Sequence, residues 1–195
     1  MSEINELYPV FMKVNVLHTL IVGGGNVGLE KLTFLLKSSP NAHVTVVSKD
    51  FHHDLVKLAE GKKVKLIKKA FEPEDMRCKQ LIIATTDSLE VNKFVHRTAK
   101  QKGILVNVAD NPPYCDFYMG GIVTKGNIKI AISTNGKSPT IAKRLRQYFE
   151  AVIPDDMEQL LKNLTLLRSR ITGGFEQKVK ELNEITAHLV NEPKL

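Results

Sequence analysis

Long apolar runs are missing from this sequence: none approaches the roughly 18 residues that cross a membrane. Met1-Ser2-Glu3-Ile4-Asn5-Glu6 also lacks the basic and apolar regions of a signal peptide, so a cytoplasmic protein without membrane association is expected. Cysteine is scarce. Cys78 and Cys115 have no metal-type spacing, and a reducing compartment disfavours a disulfide between them. His18, His43, His52, His53, His96 and His188 form no zinc spacing. Adjacent His52 and His53 would point apart on a helix, so no metal site is expected. The net charge of +7 is spread along the chain and no nucleic-acid-reading motif accompanies it, which excludes RNA or DNA as the expected partner. The densest basic stretch, Lys62 to Lys69, alternates with Val64, Leu66 and Ile67 and reads as an edge strand with solvated lysines.

What is present is an ordinary apolar fraction, 43%, in 195 residues, enough for one α/β domain and a smaller appendage. The chain is organised around an apolar run, His18 to Val22, that leads into Gly23-x-Gly25-x-x-Gly28 and an amphipathic stretch from Val27 to Lys37. Strand, tight turn and helix in that order form a dinucleotide-binding unit. Gly23 permits the turn, Gly25 lets backbone N–H groups approach a pyrophosphate beside Asn26 and Val27, and Gly28 lets the helix pack on the strand. Ala42 to Val47 reads as the second strand. It ends at Ser48-Lys49-Asp50, where an acidic residue about 20 positions beyond the glycines would hold ribose hydroxyls. Asp50 favours NAD, Lys49 beside it would tolerate the phosphate of NADP, and Asp50 could instead cap a helix over Phe51 to Glu60.

Val64 to Ile67 suggests a third strand, Pro73 opens a short helix, and Leu81 to Thr85 is a strand covered on both faces. Thr85-Thr86-Asp87-Ser88 caps a helix from Leu89 to Lys102. Because ligands in this architecture bind at the carboxyl ends of strands, Thr85, Thr86 and Asp87 are cofactor-edge candidates. Leu105-Val106-Asn107-Val108 is the fifth strand. Asp110 follows its end and is the candidate proton-handling group, with an Asx-turn residue before Pro112 as the alternative reading. Phe117 to Val123 and Ile128 to Ile132 then read as a hairpin, and Ser138-Pro139 starts a helix that runs to about Ala151. Two apolar stripes follow. Met157 to Ile171 and Phe175 to Leu189 keep helical spacing around the Gly173-Gly174 break. The expected organisation is a Rossmann-type α/β domain over 1–113, a hairpin and helix region over 114–152, and a helical subdomain over 153–195. A hairpin that small cannot bury itself, which predicts a homodimer.

Tyr8-Pro9-Val10-Phe11, Val22 to Gly28, Ile83 to Asp87, Asn107 to Pro112 and Ile132 to Pro139, in that order, resemble the dehydrogenase part of siroheme synthases over about residues 7 to 150. The resemblance implies oxidation of precorrin-2 to sirohydrochlorin with NAD and, as in some members, insertion of ferrous iron to give siroheme. It implies that Asp110 is the catalytic residue. Gly23, Gly25, Asn26, Val27, Gly28, Ser48, Asp50, Thr85, Thr86, Asp87 and Asn107 would hold the cofactor. Ser133, Thr134, Lys137, Ser138 and Arg144 would meet the carboxylates of the tetrapyrrole. The rival reading is an NAD(H)-sensing regulatory domain without catalysis, which usually carries its acidic residue at the tip of the second strand, where this chain has Ser48.

Overall fold

The computed structural model describes residues 4–155 and 157–187, which form two compact units, 4–119 and the described part of 120–195. In the first unit five parallel strands, β1 His18–Val22, β2 His43–Ser48, β3 Val64–Lys68, β4 Leu81–Ala84 and β5 Leu105–Val108, stand in the order β3-β2-β1-β4-β5. Helices α1 Asn26–Ser38, α2 His53–Ala59 and α3 Leu89–Gln101 connect them, together with short 3-10 turns at Pro73–Met76 and Pro112–Tyr114. The order reverses between β1 and β4. This is the expected Rossmann-type sheet, and the reversal opens a crevice beyond the carboxyl ends of those two strands.

Alternation along the strands divides the core between the two faces. Ile21, Val44, Val46 and Ile83 pack with Leu32 and Leu36 of α1 and Leu55 of α2, whereas Leu20, Val22, Val47, Ile82 and Val106 pack with Val95 and Ala99 of α3. Each such side chain contributes about 1.5–3 kcal/mol by leaving water. β3 is an edge strand, and Lys65 and Lys68 are exposed on it, as the lysine alternation predicted. The segment 7–12, which reads as an arm or a strand, has no regular secondary structure and is not part of the sheet.

Two boundaries differ from expectation. The helix expected over Phe51 to Glu60 begins at His53 and is capped by His52, whose ring Nδ1 accepts the Asp54 N–H at 3.1 Å, so Asp50 is not its cap. The reason lies in the glycine loop: the His52 N–H donates to the Gly24 carbonyl at 2.7 Å and holds 50–52 outside the helix. The first unit continues to Met119 instead of ending at 113. The Asp116 N–H donates to the Val106 carbonyl at 2.8 Å, the Asp116 carboxylate accepts the Val106 N–H at 3.0 Å, and Phe117 and Met119 pack on the core.

The second unit contains the antiparallel hairpin β6 Gly121–Lys125 and β7 Ile128–Ile132, followed by α4 Pro139–Val152, α5 Met157–Arg170 and α6 Phe175–Thr186. β6 starts four residues later than the sequence pattern suggested, because Phe117 and Met119 belong to the first unit. Ser138 caps α4 by accepting the Ile141 N–H at 3.2 Å, with Pro139 in the first turn as expected. Lys125 pairs with Asp155, and Glu158 lies against Gly126. His188, Leu189 and the rest of the expected helical subdomain to 195 lie outside the described residues. Among the described residues no helix is long and apolar enough to cross a membrane.

Candidate functional site

The three glycines of the loop have three different environments. Gly23 has φ +115, and a Cβ built on it would stand 2.6 Å from Thr85 Oγ1 and 2.8 Å from the Thr85 backbone. A Cβ on Gly28 would stand 2.3 Å from the Gly23 carbonyl, so the start of α1 can lie against the turn only with glycine there. Gly25 has nothing within 4 Å of the same point. It faces open space where a ligand can come against the backbone. No side chain caps α1 and no acidic residue occupies its first turn, so its amide end presents partial positive charge to an anion. A tight turn, an uncovered approach and a close helix packing are what a dinucleotide pyrophosphate requires, and the residues present fit one.

Gly24 supplies a contact that the motif does not specify. A Cβ on it would meet the Phe51 ring at 2.6 Å, the Asp50 carbonyl at 2.8 Å and Ser48 Cβ at 3.0 Å, so the loop lies directly on the carboxyl end of β2. There the Asp50 carboxylate pairs with Lys68 of β3 at 3.0 Å. The sequence could not show this pair, which depends on the register that sets Ser48 opposite Lys68.

On the other side of the switch point a cavity of about 230 Å³ opens at the ends of β4 and β5, lined by Val27, Thr86, Asp87, Asn92, Asp110 and their neighbours. Thr85 also lines it, but its buried hydroxyl donates to the carbonyls of Val22 and Gly23, both at 3.1 Å, and ties β4 to the glycine turn. Thr86 is held by Asn92, a residue of α3 that the sequence reading missed. Asn92 Oδ1 accepts from the Thr86 hydroxyl at 2.7 Å and the Thr86 N–H at 3.2 Å, while its amide donates to the Thr86 carbonyl at 2.8 Å. A lone asparagine in an amphipathic helix carries no sequence signal for that task.

Asp110 is exposed at the lip of this cavity, with φ +57. Its left-handed conformation is held from both sides. The Asn111 N–H returns to the Val108 carbonyl at 3.2 Å, and the Asn111 amide donates to the Ala109 carbonyl at 2.9 Å. The Cys115 thiol accepts the Val108 N–H at 3.3 Å and lies 3.2 Å from the Val108 carbonyl and 3.4 Å from the Asn111 carbonyl. Burial pushes this thiol up from its ordinary pKa, so at neutral pH it is a hydrogen-bonding tie. Asn107 is also engaged, its amide donating to the Phe117 carbonyl at 2.8 Å and tying the end of β5 to the segment after Cys115.

The candidates Ser133, Thr134, Lys137, Ser138 and Arg144 belong to the second unit. Asn135 and Gly136 take positive φ between them, +52 and +74. Thr134 Oγ1 donates to the Ser138 carbonyl at 3.1 Å and accepts its N–H at 3.3 Å, Ser133 Oγ accepts the Asn135 N–H at 3.2 Å, and Arg144 donates to Gln147 at 3.0 Å. These bonds shape a polar turn at the amide end of α4.

The expectation that His52 and His53 point apart is corrected. Because His52 is the cap and not a helical residue, their ring centroids lie 6.0 Å apart, and the Asp54 carboxylate reaches His53 Nδ1 at 3.2 Å and His52 Nδ1 at 3.8 Å. These three could offer ligand atoms to a metal ion, although His52 Nδ1 already accepts an N–H.

Residues 10–121 match a family described as putative NAD(P)-binding, and residues 125–151 match one described as sirohaem biosynthesis protein central. The chain is 38% identical over 176 residues to a siroheme synthase of Pseudoalteromonas translucida, covering 90% of this chain and 35% of that protein. It is 40% identical over 171 residues to one of Methylobacillus flagellatus, covering 87% and 36%. The chain thus spans about a third of the length of the siroheme synthases it matches. A solved structure of SirC, precorrin-2 dehydrogenase, superposes with a TM-score of 0.74 at 24% identity, covering 95% of this chain and 94% of that one, and shows the same fold.

Proposed function

The chain belongs to the putative NAD(P)-binding family that its residues 10–121 match, and we propose that it oxidises precorrin-2 to sirohydrochlorin with NAD in siroheme biosynthesis. The observation that carries this reading is the Asp110 carboxylate, which has no partner among the described residues and stands at the lip of the cavity across the switch point from the glycine loop. Bound NAD supplies a hydride acceptor. The chain's own residues do the rest. The open backbone at Gly25 and the amide end of α1 hold the pyrophosphate, and the strand end at Ser48 and Asp50 meets the ribose. Asn92 fixes Thr86 and thereby the wall of the cavity. Asp110 accepts the proton that precorrin-2 loses together with its hydride, so two electrons and two hydrogens leave the macrocycle in one oxidation. The polar turn at Ser133, Thr134, Lys137 and Ser138, with Arg144, supplies hydrogen-bond donors and positive charge for the substrate's carboxylates.

Anaerobic incubation with precorrin-2 and NAD, following NADH and sirohydrochlorin absorbance, tests the reading. NADH formed in step with sirohydrochlorin supports it; tight NAD binding without turnover would turn the chain into a nucleotide sensor. The same carboxylate can take pyrrole protons as ferrous iron enters sirohydrochlorin. A rate above the spontaneous one would establish that second step.

A homodimer in the cytoplasm belongs to the same proposal. Among its described residues the second unit buries only Val123 and Ile132 deeply, while Ile141, Leu145, Tyr148 and Val152 form an exposed apolar stripe along α4. Such a stripe is covered by a second copy. A monomer by light scattering at micromolar concentration would count against it.

A further inference from the structure

We propose that Lys68 is a specificity-determining residue for the nucleotide, and that its pair with Asp50 opens the ribose end of the crevice to the 2′-phosphate of NADP as well as to the hydroxyls of NAD. The inference rests on the reading of the glycine loop as a dinucleotide site and is independent of the substrate's identity. In this architecture the ribose beside the adenine meets the carboxyl end of the second strand, where an unpaired acidic side chain accepts from both hydroxyls and repels a phosphate. Here that end is not occupied by an unpaired carboxylate. Ser48 takes the last position of β2, Asp50 lies two residues on, and Gly24 packs against both, so the site abuts the glycine loop.

The end of β3 is locked beside it. Ser48 stands opposite Lys68 in the parallel register, and the Lys69 N–H donates to the Ser48 carbonyl at 3.0 Å. This places Lys68 Nζ 3.0 Å from Asp50 Oδ1. The side chains are 71% and 86% exposed, so the pair balances charge at the surface and adds little to stability. Other charged groups nearby have partners of their own. Lys69 is held by Glu72 at 2.7 Å and Asp75 at 3.0 Å, and Asp54 lies between the rings of His52 and His53. Lys49 pairs with no carboxylate among the described residues. Lys68 therefore offsets the charge of Asp50 at this end of the crevice, and Lys49, next to Asp50 in the chain, adds a positive charge.

A unit charge added or removed a few ångströms from a phosphate in watery surroundings changes affinity by about tenfold. The test titrates the intact chain with NADH and with NADPH, following nicotinamide fluorescence, for the wild type and for Lys68→Met, Asp50→Asn and Lys62→Met. All three side chains are on the surface, and Lys62 lies at the opposite end of β3. The wild type is expected to bind the two nucleotides within about tenfold of each other. Lys68→Met should lower the NADPH-to-NADH affinity ratio about tenfold, Asp50→Asn should raise it by a similar factor, and Lys62→Met should leave it alone. About 0.5 M salt should shrink these differences. A wild type that prefers NADH by more than about a hundredfold, or a Lys68→Met ratio within about twofold of wild type, would overturn the proposal. Binding of neither nucleotide would overturn the dinucleotide reading with it. The expected ratios in a chain that leaves precorrin-2 unchanged would uphold Lys68 and remove only the substrate.

Discussion

Replacing Asp110 separates what its carboxylate does from what its backbone does. The residue sits at φ +57, a region in which an ordinary L side chain costs about 1–2 kcal/mol, while aspartate and asparagine enter it more readily. Asp110→Asn therefore keeps the turn, the shape and the hydrogen bonds at Val108 and Asn111, and removes only the charge and the basicity. Asp110→Ala adds a backbone cost of about 1 kcal/mol, which lowers the melting temperature by about 2–4 °C in a chain of this size. A general base contributes about a hundredfold to ten-thousandfold, or roughly 3–5.5 kcal/mol of barrier. The catalytic loss in both variants is thus expected to exceed anything the folding change could cause. Anaerobic turnover of precorrin-2 gives the rate, nicotinamide fluorescence the NADH affinity, and a thermal scan the stability. The expected pattern is a rate down at least a hundredfold in both variants, NADH affinity within about threefold of wild type, and a lowered melting temperature only in Asp110→Ala. Asp110→Asn retaining more than about a tenth of the wild-type rate would refute the assignment. A parallel fall in NADH affinity would move the residue from the reaction to the nucleotide.

The glycine loop yields a contrast: Gly28→Ala drives a methyl into the Gly23 carbonyl and should lose about 1–3 kcal/mol in urea unfolding. Gly25→Ala meets nothing in the fold, so it should unfold at the wild-type midpoint yet bind NADH at least about tenfold more weakly; unchanged affinity would deny Gly25 its role. Asn92→Ala removes the side-chain partner of the Thr86 N–H and carbonyl, leaving the hydroxyl its bond to the Ser88 carbonyl, and should cost about 1–3 kcal/mol, with a wild-type unfolding midpoint as the contrary result. Burial alone would raise the Asp116 carboxyl, but the Lys100 ammonium at 2.6 Å and the Val106 N–H outweigh it, leaving the group below its ordinary value in the folded chain. Its stabilisation is therefore fully present above an unfolded pKa of about 3.9 and is lost as pH falls through the lower folded value. The stability gap between wild type and Asp116→Asn should be flat from about pH 7 to pH 5 and close below about pH 4; a gap unchanged at pH 3 would contradict the pairing.

The elements were legible where the signal is local. An apolar run of strand length, a glycine turn, and serine before proline specify β1, the start of α1 and the start of α4 from their own residues. The boundaries that moved did so because a distant group intervened. His52 replaced Asp50 as the cap of α2 because Gly24, on a loop from another strand, holds the His52 N–H. The hairpin lost its first residues because Asn107 and Val106 hold 116–117 in the other unit.

The candidate site divides along the same line. Gly23, Gly25 and Gly28 act through their own backbone, so their spacing announces them, and Asp110 is marked by its place after a strand end. The residues that hold the Asp110 loop and Thr86 belong to no motif. Asn92 looks like any polar residue on a helix, Cys115 like a stray thiol, and Lys68 like one more solvated lysine on an edge. Asn92 and Cys115 bond groups four to seven residues away, whereas Lys68 acquires its task from a partner fixed by strand register. The same reasoning explains why Asp50 left the cofactor open when read from sequence. An acidic residue at that place favours NAD only if its charge is unopposed, and the opposing charge comes from β3, 18 residues further along and adjacent only through the Ser48–Lys68 register. If Lys68 acts as proposed, cofactor choice belongs to two strands, and substitutions on β3 should shift it as strongly as substitutions on β2.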